Sequence, residues 1–184
     1  NYLQTNFKVK NVIDNFIQHE VHEIFLEGTG SMVLDRANKI AYACLSKRTN
    51  KNLFKDWCNL MNYKSISFSA HDSGTPIYHT NVLMSISQQI VFICLDVILD
   101  YAEKEKLLLS FKSTNKSIIN ISKNQMRSFV GNVLELTNMK NESFLVMSTA
   151  AFHALTSDQK DIIFEKMKIL HSPLDTIEYF GGGS

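Results

Sequence analysis

Glu27-Gly28-Thr29-Gly30-Ser31-Met32-Val33-Leu34 leads through a polar turn, Arg36-Ala37-Asn38-Lys39, into the apolar run Ile40-Ala41-Tyr42-Ala43-Cys44. Two short apolar runs around such a turn, 31–35 and 40–46, read as a β-hairpin. Immediately downstream, Leu53, Phe54, Trp57, Leu60 and Met61 recur at helical spacing within 51–62, and 64–70 alternates Ile66 and Phe68 with Ser and Lys. The first pattern predicts an amphipathic helix and the second a half-buried strand. Strand, strand, helix, strand is therefore the local unit. The same order follows twice more. Strands are predicted over 82–86 and 89–98, a helix over 100–111 and a strand over 117–121. After a short helix at 124–129 come strands at 133–136 and 144–148, helices at 150–155 and 157–167, and a last strand at 168–171. Thr156 with Gln159 three residues on has the form of a capping box.

The recurrence has a period. Met32-Val33-Leu34, Asn81-Val82-Leu83 and Asn132-Val133-Leu134 are similar triplets; Val33 to Val82 is 49 positions and Val82 to Val133 is 51. A repeat of about 50 residues suits blades set around an axis, each unable to bury its own sheet face. If each triplet opens an inner strand, the residues just ahead of it point into one shared centre. Glu27, His79 and the terminal run Gly181-Gly182-Gly183-Ser184 then converge from far apart in the chain.

Composition narrows the class. A chain of 184 residues with 45% hydrophobic residues can bury a continuous core, and reads as a single domain over 1–184. The net charge is +1, so no general field draws it to nucleic acid or anionic lipid. The longest apolar run, 90–95, is interrupted at Asp96, well short of the roughly 20 residues a bilayer needs. Cys44, Cys58 and Cys94 sit in apolar stretches without CxxC spacing, which reads as reduced, core-packed thiols of a cytoplasmic protein.

Five segments, taken in order, carry a resemblance: Leu26-Glu27-Gly28-Thr29-Gly30-Ser31, Ser46-Lys47-Arg48-Thr49, Pro76-Ile77-Tyr78-His79-Thr80-Asn81-Val82, Gly131-Asn132-Val133-Leu134 and Ile177-Glu178-Tyr179-Phe180-Gly181-Gly182-Gly183-Ser184. Together they resemble the amidinotransferase, or guanidino-group-modifying, superfamily. Within it they are most similar to the arginine-deiminase-related branch that includes citrulline-utilisation hydrolases. The resemblance implies an α/β fold, the pentein-type α/β propeller of repeated ββαβ units, with this chain an incomplete portion of the five-bladed ring. It also implies a Cys-dependent hydrolase with no cofactor and no metal, acting on a small amino-acid substrate. A cysteine thiolate attacks the central carbon of a guanidine or ureido group, and the covalent intermediate is then hydrolysed. Glu27 matches the acid that holds the head group, His79 the catalytic proton shuttle, and Arg48 the arginine that grips the substrate carboxylate. A forked guanidinium suits that task because it can donate two parallel hydrogen bonds.

Two departures bear on substrate. The resemblance implies Asp at two positions occupied here by Gly30 and Asn81. The site is thereby less anionic and better suited to a neutral ureido group, with Asn81 as a substrate-binding residue and citrulline to ornithine as the specific reaction. Deiminase or amidinotransferase chemistry, or a non-catalytic ligand-binding pentein, stand as alternatives, and homo-oligomer formation is left open. A third departure is that the nucleophilic Cys of the family lies three positions after the Gly-Gly-Gly-Ser, so the chain reads as the C-terminal portion of a catalytic domain cut at both ends and inactive alone.

Each candidate also has an ordinary reading. Glu27 beside Gly28 could serve as a turn residue, His79 as a hydrogen-bonded core histidine, Arg48 as a solvated loop charge and Asn132 as a turn. His19-Glu20-Val21-His22-Glu23 places its imidazoles three apart, where the His-Glu-x-x-His metal helix needs four. Lys104, Lys106 and Lys112 alternate with Glu103 and Glu105, which reads as a charged helix surface without affinity for nucleic acid.

Overall fold

Backbone pairing divides the chain into three ββαβ units. The computed structural model describes residues 2–183, so Ser184 of the terminal motif lies outside the described residues. A short helix α1 (Tyr2–Asn6) and a 3-10 turn at Ile17–His22 precede the first unit. Repeat 1 then runs α2 (Gly28–Ser31), β1 (Val33–Asp35), β2 (Ile40–Cys44), α3 (Lys51–Met61) and β3 (Lys64–Phe68). A small hairpin, β4 (His71–Asp72) and β5 (Thr75–Pro76), leads to repeat 2, which comprises α4 (Thr80–Leu83), β6 (Met84–Ile86), β7 (Ile90–Ile93), α5 (Tyr101–Ser113) and β8 (Ser117–Asn120). After α6 (Lys123–Arg127), repeat 3 runs β9 (Leu134–Thr137), β10 (Ser143–Ser148), α7 (Thr149–Ala154), α8 (Ser157–Phe164) and β11 (Lys168–Ser172), followed by α9 (Asp175–Gly181).

In each repeat the second strand is central, antiparallel to the first and parallel to the third, with the helix making the crossover. A central strand covered on both faces needs a continuous apolar run. Accordingly β2 and β7 are buried at every position. One core runs through all three repeats, from Tyr42 and Phe68 through Phe92 and Phe111 to Leu145 and Met147. Helix α3 is held at its start by Asn50, whose side chain accepts from the Asn52 and Leu53 amides, satisfying two of the donors a helix start leaves open. The capping boxes at Ser122 and Thr156 do the same for α6 and α8.

First strands lie side by side, β1 against β6 and β6 against β9. The fold is thus a mixed α/β array of three repeats in separate three-stranded sheets, and none of these sheets closes on itself.

Aligning the ladders corrects the register of the sequence repeat. Ile40, Ile90 and Phe144 face Lys64, Ser117 and Lys168 as equivalent starting pairs. Counting back along the first strands makes Met32, Met84 and Val133 equivalent. The triplet at Asn81 therefore falls in α4 and not at the start of a strand, and the expected strand over 82–86 begins only at Met84. Short apolar runs do not distinguish strand from helix by pattern, and here the Thr80 hydroxyl, donating to the Ser31 carbonyl at 2.5 Å, pins the turn. The strand expected over 89–98 stops at Ile93, because the Leu95 amide turns to the Asn120 side chain and the backbone enters a 3-10 turn at Leu95–Val97.

Candidate active site

The seam between repeats 1 and 2 assembles the candidate residues. Glu27 ends an extended approach and caps α2, and Gly28 follows at φ +50°, a left-handed conformation that only a residue without Cβ adopts freely. His79 occupies the equivalent cap position of α4, in extended conformation. Its ring makes no capping bond and reaches across the seam instead. His79 Nε2 lies 2.7 Å from Glu27 Oε2. An ionised carboxylate can only accept, so the imidazole N–H donates. Arg48, on the turn after β2, brings Nη1 to 3.5 Å from the same oxygen.

Exposure suits these groups to a ligand. The His79 side chain is 19% exposed, Glu27 39% and Arg48 53%. Tyr78 adds an aromatic wall: the Arg48 guanidinium carbon lies 5.3 Å from its ring centroid, and the His79 ring 4.8 Å away. Asn81 belongs to α4 and faces a cleft of about 990 Å³ that runs along the first strands, between Gly28 and Thr29 on one side and Gly131 and Asn132 on the other. Among the described residues, Asn81 shares no hydrogen bond with Glu27, His79 or Arg48. Geometry thus brings three of the four candidates into contact and sets the fourth alongside.

Gly30 explains the His79 pose. A Cβ there would come within 2.7 Å of His79 Cε1 and Nδ1, so the imidazole packs flat on a position that carries no side chain. Gly131 is likewise crowded at the seam between repeats 2 and 3, where a Cβ would meet the Val82 carbonyl oxygen at 2.6 Å. The terminal glycine run arrives at the third lead-in, with Gly183 beside the Asn132 amide group.

The three thiols sit elsewhere. Cys44, Cys58 and Cys94 are buried. Burial pushes Cys44 up to about 12 and Cys58 to about 11, and raises Cys94 as well. Thiols held protonated in apolar surroundings are poor nucleophiles. On the 3-10 turn His22 lies exposed and His19 half-buried. No group of three His, Cys, Asp or Glu side chains suited to a metal forms among the described residues, and no helix among them is long and apolar enough to cross a membrane.

Three residues escaped the sequence reading: Ser31, Thr49 and Thr80, all buried hydroxyls that link the candidate segments. Their signal was present, since Thr49 follows Arg48 directly, Thr80 follows His79 directly, and Ser31 closes the Glu27 turn.

The matching family model and the fold place the chain among the penteins of the amidinotransferase superfamily. The fold matches the N-terminal domain of ArgZ, an arginine dihydrolase from the ornithine-ammonia cycle in Cyanobacteria, solved with substrate bound (TM-score 0.70, 15% identity, 99% of this chain and 59% of that one). It also matches AgrE in its binary complex with L-arginine (TM-score 0.69, 15% identity, 99% of this chain and 24% of that one). The family model for eukaryotic N,N-dimethylarginine dimethylhydrolase matches residues 1–184, and the chain belongs to that family. It spans 59% of the ArgZ domain's length. No curated protein matches it in sequence.

Proposed function

We propose that the chain supplies the acid, histidine and arginine of a Cys-dependent C–N hydrolase acting on the ureido or guanidino end of an arginine-like amino acid. Citrulline to ornithine, ammonia and carbon dioxide is the specific reaction. The observation that carries this reading is the 2.7 Å contact between His79 and Glu27, made by residues 52 positions apart on two different repeats. His79 meets a half-exposed carboxylate, with a guanidinium on the same oxygen.

The roles follow from the chemistry of each group. Glu27 accepts hydrogen bonds from the N–H groups of the ureido head. Arg48 engages Glu27 through Nη1 alone, and its remaining N–H groups take the substrate carboxylate. His79 protonates the first departing amine when the thiolate attacks, then accepts a proton from the water that cleaves the S-carbamoyl intermediate. That cleavage frees the thiolate and a carbamic acid, which loses carbon dioxide to release the second amine. The thiolate comes from a cysteine outside the 184 residues, because the three within are buried and protonated. Gly30 and Asn81 leave Glu27 as the single carboxylate at the head-group end, which favours a neutral ureido over a cationic guanidinium. The closed five-bladed ring, the cytoplasmic setting and the status of 1–184 as the C-terminal part of the catalytic domain belong to the same proposal.

A second reading has its own support: the family model that matches the chain is named for N,N-dimethylarginine. The test is turnover by the full-length protein of citrulline, arginine and N,N-dimethylarginine side by side, with a haloacetamidine thiol reagent as probe. The proposal requires the highest kcat/KM for citrulline and protection from the reagent by citrulline. A wide preference for either guanidine moves the substrate assignment. Absence of both turnover and protection assigns the chain to a binding role.

A further inference from the structure

Ser31, Thr49 and Thr80 are 0%, 1% and 0% exposed, so water does not enter their hydrogen bonding. Buried hydroxyls must satisfy one another or the backbone, and here only one arrangement of protons does so. The Arg48 carbonyl can only accept, so Ser31 Oγ donates to it at 2.8 Å. That uses the single Ser31 proton. Ser31 Oγ then accepts from the Glu27 amide at 2.9 Å and from Thr49 Oγ1 at 2.8 Å, which fills both lone pairs. The Cys44 amide donates to Thr80 Oγ1 at 2.7 Å, so Thr80 Oγ1 turns its own proton to the Ser31 carbonyl.

The chain of bonds ties together three backbone points: the amide of Glu27, the carbonyl of Arg48, and the residue next to His79. On the other flank of His79, Ser46 Oγ donates to the Tyr78 carbonyl at 2.7 Å and accepts from the Arg48 amide at 3.1 Å. His79 is thus flanked on one side by its own repeat's Thr80 hydroxyl, bonded to the Ser31 carbonyl and Cys44 amide of repeat 1, and on the other by the Ser46 hydroxyl of repeat 1. No apolar contact could fix these three points with comparable direction, because packing is tolerant along the contact plane and a hydrogen bond is not.

We propose that Ser31, Thr49 and Thr80 are positioning residues, a buried hydroxyl chain across the seam between repeats 1 and 2 that sets the Glu27–His79 distance and with it the turnover rate. The inference rests on the reading of Glu27 and His79 as the reacting pair, and it assigns to Thr80 a role in kcat that a merely structural threonine would not have.

The experiment uses the full-length protein with Thr80→Val, which keeps shape and loses the hydroxyl, Thr80→Ser, which keeps the hydroxyl, and Ser110→Ala as a control. Ser110 donates or accepts in an equally buried pair with Tyr42 Oη at 2.8 Å, away from the site. Two quantities are read: kcat and KM for citrulline, and the downfield imidazole N–H proton resonance that His79→Ala identifies as that of the Glu27–His79 bond. Thr80→Val is expected to lower kcat by about 10- to 100-fold with little change in KM and to erase the resonance. Thr80→Ser restores both, and Ser110→Ala lowers the melting temperature alone. Thr49→Val, which removes one donor, is the milder second variant, with about a 5-fold fall. Unchanged kcat and an unchanged resonance in Thr80→Val overturn the proposal. Citrulline turnover that survives His79→Ala overturns the reading of the pair instead, and the resonance still reports whether the hydroxyl chain holds it.

Discussion

The seam between repeats 1 and 2 and the outer part of repeat 3 are built from the same ββαβ unit and finished differently. At the seam, buried polar groups pair, Ser85 Oγ on β6 excepted: Lys116 Nζ lies 3.1 Å from Asp35 Oδ2, with the side chains 1% and 3% exposed, and also donates to the Gln88 carbonyl at 2.8 Å. Tyr42 packs at a tilt against Phe111 while its hydroxyl meets Ser110. In repeat 3, β9 leaves Leu134 and Leu136 more than half or half exposed, and α9 presents Tyr179 and Phe180 to solvent. Its ion pair, Lys168 with Glu142, lies on the surface. Buried, paired polar groups fix one geometry, whereas exposed apolar faces await cover. The candidate chemistry sits at the seam that is already finished.

The sharpest way to break this contrast is at the pair itself. His79→Ala in the full-length protein is expected to lower citrulline turnover by about 10² to 10⁴-fold, measured as ornithine release. Next, Gly30→Ala drives a Cβ into the imidazole, and is expected to cost about 10²-fold in kcat with the fold intact; circular dichroism with kinetics separates the two effects. Third, Lys116→Ala removes the cation from the buried Asp35 carboxylate, which keeps its two bonds from Asn38, and is expected to cost about 3 kcal/mol by denaturant unfolding. Lys168→Ala on the surface of repeat 3 is expected to cost about 1 kcal/mol or less. Equal losses would erase the distinction between the two regions.

Two smaller effects concern protons. Cys44, raised to about 12 by burial, binds its proton more tightly folded than unfolded, where the ordinary value is 9.0. Its contribution is therefore complete below about pH 9 and is lost as pH rises toward 12. At neutral pH the three buried thiols should react with iodoacetamide far more slowly than free cysteine, read by mass spectrometry of the labelled peptides. Asp72 is the opposite case. Arg127 donates to it from Nε and Nη2 at 2.8–3.1 Å and holds its carboxyl below the usual value. This latch on the hairpin ahead of His79 is present above the ordinary carboxylate range and is lost as pH falls through the lowered value. Arg127→Ala should remove that acid dependence from the unfolding curve.

The repeat was legible in the sequence because central strands of a covered sheet must be apolar throughout, as 40–44 and 90–93 are, while crossover helices show their own period. Its register was not legible. Asn81-Val82-Leu83 matches Met32-Val33-Leu34 in residue type, but a hydroxyl from Thr80 to a carbonyl 49 positions away turns it into helix. Glu27, His79 and Arg48 could be chosen as candidates from the resemblance of their segments, and the period led to Glu27 and His79 being expected together, while Arg48 had no such placement. Ser31, Thr49 and Thr80 adjoin those candidates in sequence, but the hydrogen bonds that link them across repeats leave no local pattern. The flat packing of His79 on Gly30 was hidden for the same reason: a glycine in sequence shows what is missing but not what fills the space.

A crystal structure of the full-length protein soaked with citrulline tests the central claim most directly. The account predicts the ureido group within hydrogen-bonding distance of both Glu27 and His79, with the α-carboxylate on Arg48. Citrulline bound away from the seam, or His79 turned from Glu27 with the ligand in place, would contradict it.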